Sequence, residues 1–408
     1  MKLNVKLSVV IAILCMLWVT LVKSDIPCAA REVANRSVLC VCTKDYCDTV
    51  TRDVPVAGKY VSYVSSEDGL RFNKSSADLR SYDGTSSGAT LILDPETKYQ
   101  TINGFGGAVT DSAAINWKNL SDPTLMQHLI DSYCGDSGIQ YNMLRVPIGG
   151  TDFSVRGYTY NDLPVDDAAL SNFTLAYEDY EYKIPMIKAC MAAASAPVHI
   201  VSATWSPPAW MKTNNALRGY SRLRKEYLQT YVDYHYKFME KYAAENISVW
   251  SVSISNEPID GTSGYDKINT LGWSYDYMAE VAQRMATTFR NSTFKDVKIL
   301  AADDQRYTLN IYWTTLVLLY PDVVDYFDGV AIHWYLNKVT PASTVTAIMK
   351  DYPDKFVIST EACNGALFTD TIVDLGSWSR AEDYFVDILE NLNTNLIGWI
   401  DWNMCLNG

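Results

Sequence analysis

The amino-acid sequence predicts an α/β fold in which a (β/α)8 TIM barrel follows an accessory all-β region. From about residue 100 onward, eight short apolar, β-rich runs alternate with longer segments of helical periodicity. The runs are nearly continuous in apolar residues, as parallel strands covered by helices must be. An open doubly wound sheet is the alternative, but residues 104–107 lack the Gly-x-Gly-x-x-Gly spacing and the acidic ribose partner of a dinucleotide site.

The chain divides into three predicted parts. In residues 1–24, Lys2 and Lys6 flank the start of an apolar run that ends at Val22-Lys23-Ser24, which is typical of a secretory signal peptide cleaved near Ser24. The run is shorter than the ~20 apolar residues of a membrane-spanning helix. Residues 25–99 are rich in Ser, Thr, Asp and Gly, and their alternating pieces at 59–64 and 90–93 predict a small disulfide-containing β region. Residues 100–408 form the predicted barrel domain.

Within the barrel domain, periodicity locates the individual elements. The eight strands are predicted at residues 101–107, 141–147, 198–204, 249–255, 297–302, 329–334, 356–361 and 396–402. The clearest helix lies between the third and fourth strands, where Leu228, Tyr231, Phe238 and Tyr242 fall on one face. His235 shares that face, and we assign it no chemistry.

Sequons and cysteines are consistent with secretion. Six Asn-x-Ser/Thr sequons are candidate glycan acceptors: Asn35, Asn73, Asn119, Asn172, Asn246 and Asn291. Four clustered cysteines predict two disulfides with three pairings open: Cys28, Cys40, Cys42 and Cys47. The dispersed cysteines are expected to be buried free thiols: Cys134, Cys190, Cys363 and Cys405.

Composition disfavours two classes of partner. The formal charge is −13, with 47 acidic against 34 basic residues, which is the wrong sign for a nucleic-acid-binding surface. The chain holds only 4 histidines (His128, His199, His235 and His333), and neither they nor the cysteines show zinc-site spacing, so a metalloenzyme is disfavoured. The 28 Tyr and 11 Trp offer flat faces on which sugar rings can stack, although aromatic residues more often belong to the core.

In a (β/α)8 barrel the chemistry lies at the carboxyl ends of the strands. The candidates there are Asp111, Arg145, Trp205, Asn256, Glu257, His333, Trp334, Tyr335, Glu361, Asp401, Trp402 and Asn403. Glu257 and Glu361 directly follow apolar strands, where a carboxylate is costly to bury unless it is paired or functional. Each could pair structurally with Arg145 or another base. Two carboxyls converging at one mouth, with aromatic walls, instead predict glycoside hydrolysis through an acid and a nucleophile.

Eight stretches then carry a family resemblance. They are residues 105–111 (FGGAVTD), 144–147 (LRVP), 205–214 (WSPPAWMKTN), 255–258 (SNEP), 302–306 (ADDQR), 331–336 (AIHWYL), 359–363 (STEAC) and 398–403 (GWIDWN). Together they resemble the glucosylceramide-hydrolysing members of glycoside hydrolase family 30, from the cysteine cluster to the last residue. Residues 259–264 depart from the family pattern at the entrance for the lipid.

The resemblance implies a retaining double displacement without a cofactor. Glu257 would be the acid/base and Glu361 the nucleophile, with Asn256 on the sugar 2-hydroxyl. Arg145 and Tyr335 would keep the nucleophile ionised and oriented. The residues implied to line the glucose pocket are Asp111, Trp205 and Trp402.

The resemblance also implies a setting and partners. It pairs Cys28 with Cys40 and Cys42 with Cys47, places the protein in the secretory pathway and the lysosomal lumen, and implies glucosylceramide in anionic membranes as substrate with a saposin-type activator. Two other functions stay open: a family 30 glycosidase of another specificity, such as a β-1,6-glucanase or xylanase, and a truncated, non-catalytic glycolipid-binding paralogue. Because family members continue beyond the eighth strand, we expect this chain to lack the last helix and the C-terminal part of a β-sandwich, and to be poorly stable and weakly active.

Overall fold

Eight parallel strands close into a barrel, each pairing with the next along the chain and the last pairing with the first. The computed structural model describes residues 25–81, 84, 88–264, 267–365 and 373–406. The barrel strands are β5 (Gly104–Ala108), β6 (Met143–Ile148), β7 (His199–Thr204), β8 (Val249–Ser253), β9 (Lys298–Gln305), β10 (Gly329–His333), β11 (Phe356–Glu361) and β12 (Leu396–Asn403). The predicted barrel is confirmed, whereas the predicted signal peptide lies outside the described residues.

Among the described residues, helices follow each of the first seven barrel strands. The described helices are α1 (Asp111–Asn119), α2 (Pro123–Tyr133), α3 (Ile184–Ala193), α4 (Leu228–Ala244), α5 (Pro258–Ser263), α6 (Tyr275–Arg290), α7 (Leu316–Leu319), α8 (Ser343–Met349) and α9 (Trp378–Leu392). The predicted helix between the third and fourth strands is confirmed as α4. His235 on its buried face bonds Thr204 Oγ1 at 3.0 Å and the Tyr231 carbonyl at 2.9 Å, and burial lowers its pKa to about 4. Both ring nitrogens of His235 therefore make hydrogen bonds within the protein.

Apolar side chains fill the inside of the barrel, and a glycine allows two neighbouring strands to approach closely. One residue from each of six strands forms a buried layer inside the barrel: Met143, Val201, Leu300, Ala331, Ile358 and Ile400. Every residue of β6 is buried, as a strand covered on both faces requires. At Gly106 an added Cβ would lie 1.8 Å from the Met143 carbonyl oxygen, so only glycine allows β5 and β6 to approach this closely. The glycines of residues 104–107 thus serve strand packing.

The N-terminal region forms two separate two-stranded sheets. It contains two antiparallel pairs, β1 (Ala30–Arg31) with β2 (Leu39–Cys40) and β3 (Lys59–Val64) with β4 (Asn73–Asp78). The predicted piece at 59–64 is confirmed as β3. The prediction at 90–93 was wrong: Leu91, Ile92 and Leu93 are exposed and pair with no strand in the part of the chain that the structure describes. A strand needs a hydrogen-bonded neighbour, and alternation alone does not supply one.

Three disulfides are formed. Cys28 pairs with Cys40 and Cys42 with Cys47, which is the pairing that the resemblance implies. Cys134 pairs with Cys190, so the expectation of free thiols at these two positions was wrong. Cys134 follows α2 and Cys190 lies in α3, and these two helices pack side by side on the barrel. Cys363 and Cys405 are free and half-buried within the described residues.

Two further features bear on secretion and membranes. All six sequon asparagines are exposed. Across the described residues, the helices are too short or too polar to cross a bilayer.

Candidate active site

Polar side chains from the ends of five strands meet at the carboxyl mouth of the barrel. They are Arg145 on β6, Asn256 and Glu257 after β8, Asp303 on β9, His333 on β10 and Glu361 on β11. All except Glu257 are buried, and Glu257 keeps 13% of its side chain exposed. The structure therefore brings together the two predicted carboxylates and the predicted arginine and asparagine.

Arg145 is the central cation of this cluster. Its guanidinium forms an ion pair with Glu361 and a second with Asp303 at 3.1 Å, and it donates to Asn256 Oδ1 at 2.6 Å. The guanidinium is completely buried, so these acceptors replace the water it has lost. Arg145 thus orients both Glu361 and Asn256, the residue that precedes Glu257.

Glu361 is held from two sides. Besides Arg145, Tyr335 OH donates to its Oε1 at 2.6 Å. Burial raises the pKa of Glu361, while the positive charges of Arg145 and His333 act in the opposite direction. The arrangement fixes the carboxylate and supplies the charge that favours its ionised form.

Glu257 has different neighbours. It immediately precedes α5 and has a left-handed backbone at φ 39°, a conformation that residues other than glycine rarely adopt. His333 Nδ1 lies 2.8 Å from Oε1, and Gln305 Nε2 donates to the same oxygen at 2.9 Å. The nearest oxygens of Glu257 and Glu361 lie within 4.8 Å of each other.

His333 bridges Glu257 and Asp303 as an imidazolium. Its Nε2 is 3.1 Å from Asp303 Oδ1. Burial opposes the charge, but Glu361, Asp303 and Glu257 together raise the pKa of His333 to about 10. Burial likewise opposes ionisation of Asp303, yet Arg145 and His333 hold its pKa well below the usual range.

The backbone of β9 aims Asp303 at this cluster. Ala302 and Asp303 have φ values of 65° and 57°, and the register with β10 shifts at this point. Such a bulge re-directs a side chain beside an active site. The Asp303 carbonyl also accepts the Glu257 amide at 3.0 Å, so β9 directly supports the backbone of Glu257.

Two tryptophans form an aromatic wall behind Arg145. Trp205 and Trp402 stack with centroids 5.1 Å apart, and the guanidinium carbon lies 4.9 Å and 5.3 Å from their centroids. Phe153 meets Trp402 edge-on at 6.3 Å. Both tryptophans are at most 2% exposed, so they are as much core as pocket lining.

Asp111 lies in a second buried cluster. Its carboxylate accepts from Ser154 Oγ at 2.6 Å and from Tyr158 OH at 3.0 Å, and Lys183 Nζ is 3.6 Å away. These contacts satisfy both oxygens, so the carboxylate is anchored inside the protein and is only 3% exposed. Its predicted role in the glucose pocket remains a prediction.

Sequence reasoning missed two residues at the mouth. Asp152 is exposed at the rim but crowded by protein, which together with the charges of Glu361 and Glu257 raises its pKa to about 7. Asp303 lies in the motif at 302–306 but was not among the predicted site residues. Its signal was the pair of acids ending the fifth strand, whereas Asp152 follows the second strand by four positions and has no local signal.

These donors do not suit a metal ion. Glu257, His333 and Glu361 offer atoms within 4.8 Å of one another. However, both nitrogens of His333 face carboxylates as donors, and Arg145 already supplies the positive charge at Glu361. A metal ligand must present a lone pair, so we assign this cluster to proton transfer and ion pairing.

Comparison with known proteins agrees with this geometry. The glycosyl hydrolase family 30 TIM-barrel domain matches residues 102–408. The chain belongs to glycoside hydrolase family 30. Lysosomal acid glucosylceramidase of Mus musculus is 37% identical over 93% of this chain and 74% of its own length. Putative glucosylceramidase 3 of Caenorhabditis elegans is 36% identical over 91% and 72%, respectively. This family 30 chain is therefore a glycoside hydrolase.

Solved structures show the same fold. SrfJ from Salmonella typhimurium superposes with a TM-score of 0.76 and 24% identity, covering 86% of this chain and 75% of that one. The endo-β1,6-glucanase BT3312 superposes with a TM-score of 0.70 at 24% identity over the same shares. At this level of identity the likeness concerns the barrel alone.

Proposed function

We propose that this family 30 chain is a retaining β-glucosidase that hydrolyses glucosylceramide to glucose and ceramide. The observation that carries the retaining mechanism is the approach of Glu257 and Glu361 to within 4.8 Å. Retaining glycosidases hold their carboxyls about 5–5.5 Å apart, whereas inverting enzymes need about 6.5–9.5 Å to admit a water. The short separation favours direct attack by a carboxylate on the sugar.

The unequal surroundings of the two carboxyls assign their roles. Glu361 carries the ion pair with Arg145 and the hydrogen bond from Tyr335, which suits an ionised nucleophile. Glu257 is more open and borders the mouth, which suits an acid that must reach the departing oxygen.

The reaction then runs in two balanced steps. Glu361 attacks the anomeric carbon while Glu257 gives its proton to the ceramide oxygen, so the glycosidic bond breaks and a glucosyl ester forms. Glu257, now a carboxylate, takes a proton from water as the water oxygen attacks the same carbon and releases Glu361. Two inversions give glucose with the original β configuration.

Sugar recognition is proposed to rest on the residues around this pair. Asn256, oriented by Arg145, would bond the 2-hydroxyl, a contact that strengthens at the transition state. Trp205, Trp402 and Asp111 were predicted for the glucose pocket, and Asp111 would support it through Ser154.

The lipid part of the substrate and the cellular setting rest on the glucosylceramidase relatives. We propose that the protein acts on glucosylceramide in anionic membranes, helped by a saposin-type activator, in the secretory pathway or the lysosomal lumen. The domain division proposed is a signal peptide at 1–24, a β region at 25–99 and a catalytic domain at 100–408. Another family 30 specificity, such as β-1,6-glucan hydrolysis, remains the alternative, since endo-1,6-β-D-glucanase of Neurospora crassa is 26% identical over 83% of the chain.

Substrate comparison and two variants test the proposal. Purified protein is given glucosylceramide in mixed anionic vesicles and, separately, β-1,6-gluco-oligosaccharides, at acidic pH. Glu361→Ala should be inactive but should form α-glucosyl azide from an activated glucoside and azide, and Glu257→Ala should form β-glucosyl azide. Glu240→Gln, an exposed change on α4, is the matched control. The same azide anomer from both alanine variants would refute the assigned roles, and turnover of the oligosaccharide alone would refute the ceramide substrate.

A further inference from the structure

The turn that carries Tyr335 is fastened to a buried polar cluster on α9. This turn spans residues 334–340 and comes directly after β10. It contacts Glu361 twice, since the Trp334 amide donates to the Glu361 carbonyl at 3.2 Å and Tyr335 OH donates to Oε1 at 2.6 Å. The Asn337 amide donates to the Trp334 carbonyl at 2.8 Å, so Asn337 belongs to the same turn. The place of Tyr335 therefore depends on what holds this turn.

Asp387 holds the turn from the side of α9. Its Oδ1 accepts a hydrogen bond from Asn337 Nδ2 at 2.6 Å. Its Oδ2 accepts from Trp399 Nε1 on β12 at 2.9 Å and from Asn391 Nδ2 on α9 at 2.8 Å. Asp387 is buried, so these donors replace the water that its carboxylate has lost. The turn is thus tied to a carboxylate that both the barrel and the helix fix.

Arg306 provides the positive charge beside Asp387 and a second anchor for the turn. It directly follows β9, and its side chain is completely buried. Its NH2 lies 3.3 Å from Asp387 Oδ1 and donates to Asn391 Oδ1 at 2.7 Å. Its NH1 donates to the Thr340 carbonyl at 3.1 Å. The turn is therefore held at Asn337 and again at Thr340.

We propose that Asp387 and Arg306 are positioning residues that fasten the turn at 334–340 and thereby keep Tyr335 within hydrogen-bond distance of Glu361. The inference rests on the proposed function, because it concerns how the proposed nucleophile is oriented. Small displacements matter at such a site, since a misplacement of ~1 Å can lower a rate by about 100-fold.

A surface contact between the same two elements offers a comparison. Lys338 of the turn lies 3.1 Å from Asp383 on α9, but its side chain is 82% exposed. Exposed ion pairs contribute little because water and salt screen them. The buried contacts of Asp387 and Arg306 should therefore carry the positioning.

Asn337→Ala tests the positioning, with Lys338→Ala as the matched control. Each variant removes one contact between the turn and α9, and both leave Asp387 and Arg306 in place. The measured quantity is kcat/KM with an aryl β-glucoside, which reports the step in which Glu361 attacks the sugar. We expect Asn337→Ala to lower kcat/KM about 10-fold and Lys338→Ala to leave it unchanged.

An exchange of the two side chains tests Asp387 itself. Asn337→Asp places a second carboxylate against Asp387 and should lower kcat/KM by repulsion. Adding Asp387→Asn to Asn337→Asp should recover part of the loss, because the new amide on α9 can donate to the new carboxylate on the turn.

Tyr335→Phe separates positioning from a general effect on the structure. If the turn acts through Tyr335, Asn337→Ala should change kcat/KM by less than about 2-fold when it is added to Tyr335→Phe. Three results would overturn the inference and leave the proposed function standing: the same fold loss in both backgrounds, equal rates for Asn337→Ala and Lys338→Ala, or no recovery in the exchanged variant. A wild-type protein that cleaves no β-glucoside would instead refute the proposed function.

NMR tests the positioning without turnover. In protein labelled with carbon-13 at the tyrosine ζ carbon, the Tyr335 signal is assigned by its loss in Tyr335→Phe and reports the hydrogen bond to Glu361. This signal should move in Asn337→Ala and stay in place in Lys338→Ala. An unmoved signal in Asn337→Ala would contradict the inference whatever the substrate of the enzyme.

Discussion

Replacing Lys183 by methionine should destabilise the barrel strongly. Lys183 is completely buried, 2.9 Å from Asp179 and 3.6 Å from Asp111. Tyr160 and Tyr242 also donate to Asp179 at 2.8 Å, so this carboxylate keeps hydrogen bonds but loses its cation in the variant. Two buried carboxylates would then face each other without a positive charge between them.

The expected loss of stability follows from the complete burial of Lys183. Breaking a buried ion pair by removing one partner costs about 3–5 kcal/mol. This is a large part of a typical unfolding free energy of ~5–15 kcal/mol, and at ~2 °C per kcal/mol for a large domain it lowers Tm by roughly 6–10 °C. The charges of Asp179 and its neighbours raise the pKa of Lys183, against burial. The stabilisation that comes from the charge of Lys183 is therefore complete below the unfolded value of about 10.5. Burial raises the pKa of its partner Asp111, so the ion pair should weaken at acidic pH as Asp111 takes up a proton.

Calorimetry beside a matched surface change checks the reasoning. Lys188 forms an ion pair with Glu245 at 2.7 Å but has 46% of its side chain exposed. Lys188→Met should therefore cost less than ~1 kcal/mol. Adding Asp179→Asn to Lys183→Met removes one stranded charge and should recover part of the loss. Equal losses for the two lysine variants, or no recovery in the double variant, would refute the buried-charge argument.

Three other predictions follow from single contacts. His333 is charged in the folded state, with its pKa raised to about 10, so its contribution is complete below the unfolded value of about 6.5 and is lost as pH rises toward 10; urea midpoints should therefore fall over this range more steeply in the wild type than in His333→Gln. Tyr335→Phe removes the 2.6 Å hydrogen bond to Glu361 and should lower kcat about 10–100-fold with little change in KM; an unchanged kcat would contradict the role of Tyr335. Replacing both Cys134 and Cys190, 56 positions apart, by serine should cost about 4 kcal/mol of stability, and a denaturant midpoint equal to that of the wild type would contradict this.

The sequence could predict the fold because strand spacing is a local signal. The eight apolar runs mark the eight barrel strands, and barrel topology then places Glu257 and Glu361 at one mouth although they are far apart in sequence. The Cys134–Cys190 bond was missed because it depends on the packing of α2 against α3, which no local pattern records. The segment at 90–93 failed for the same reason, since a strand depends on a neighbour.

The electrostatics of the site were the least predictable part. The role of Asp303 depends on the left-handed backbone in β9 that turns it toward Arg145 and His333. The charge on His333 depends on three carboxylates that come from different strands and loops. Neither Asp303 nor His333 has a local sequence pattern that indicates its charge state, because that state depends on side chains that the fold brings together.

The ion pairs at the mouth distinguish the two carboxyls that are proposed to be catalytic. The mouth holds the carboxyls of Glu257, Glu361 and Asp303 and the cations Arg145 and His333. Asp303 contacts both cations and is the last to be protonated, and Glu361 is paired directly with Arg145. Glu257 forms no ion pair with Arg145 in the described part of the chain and is the most open of the three carboxyls, which suits the proposed acid that must reach the leaving oxygen.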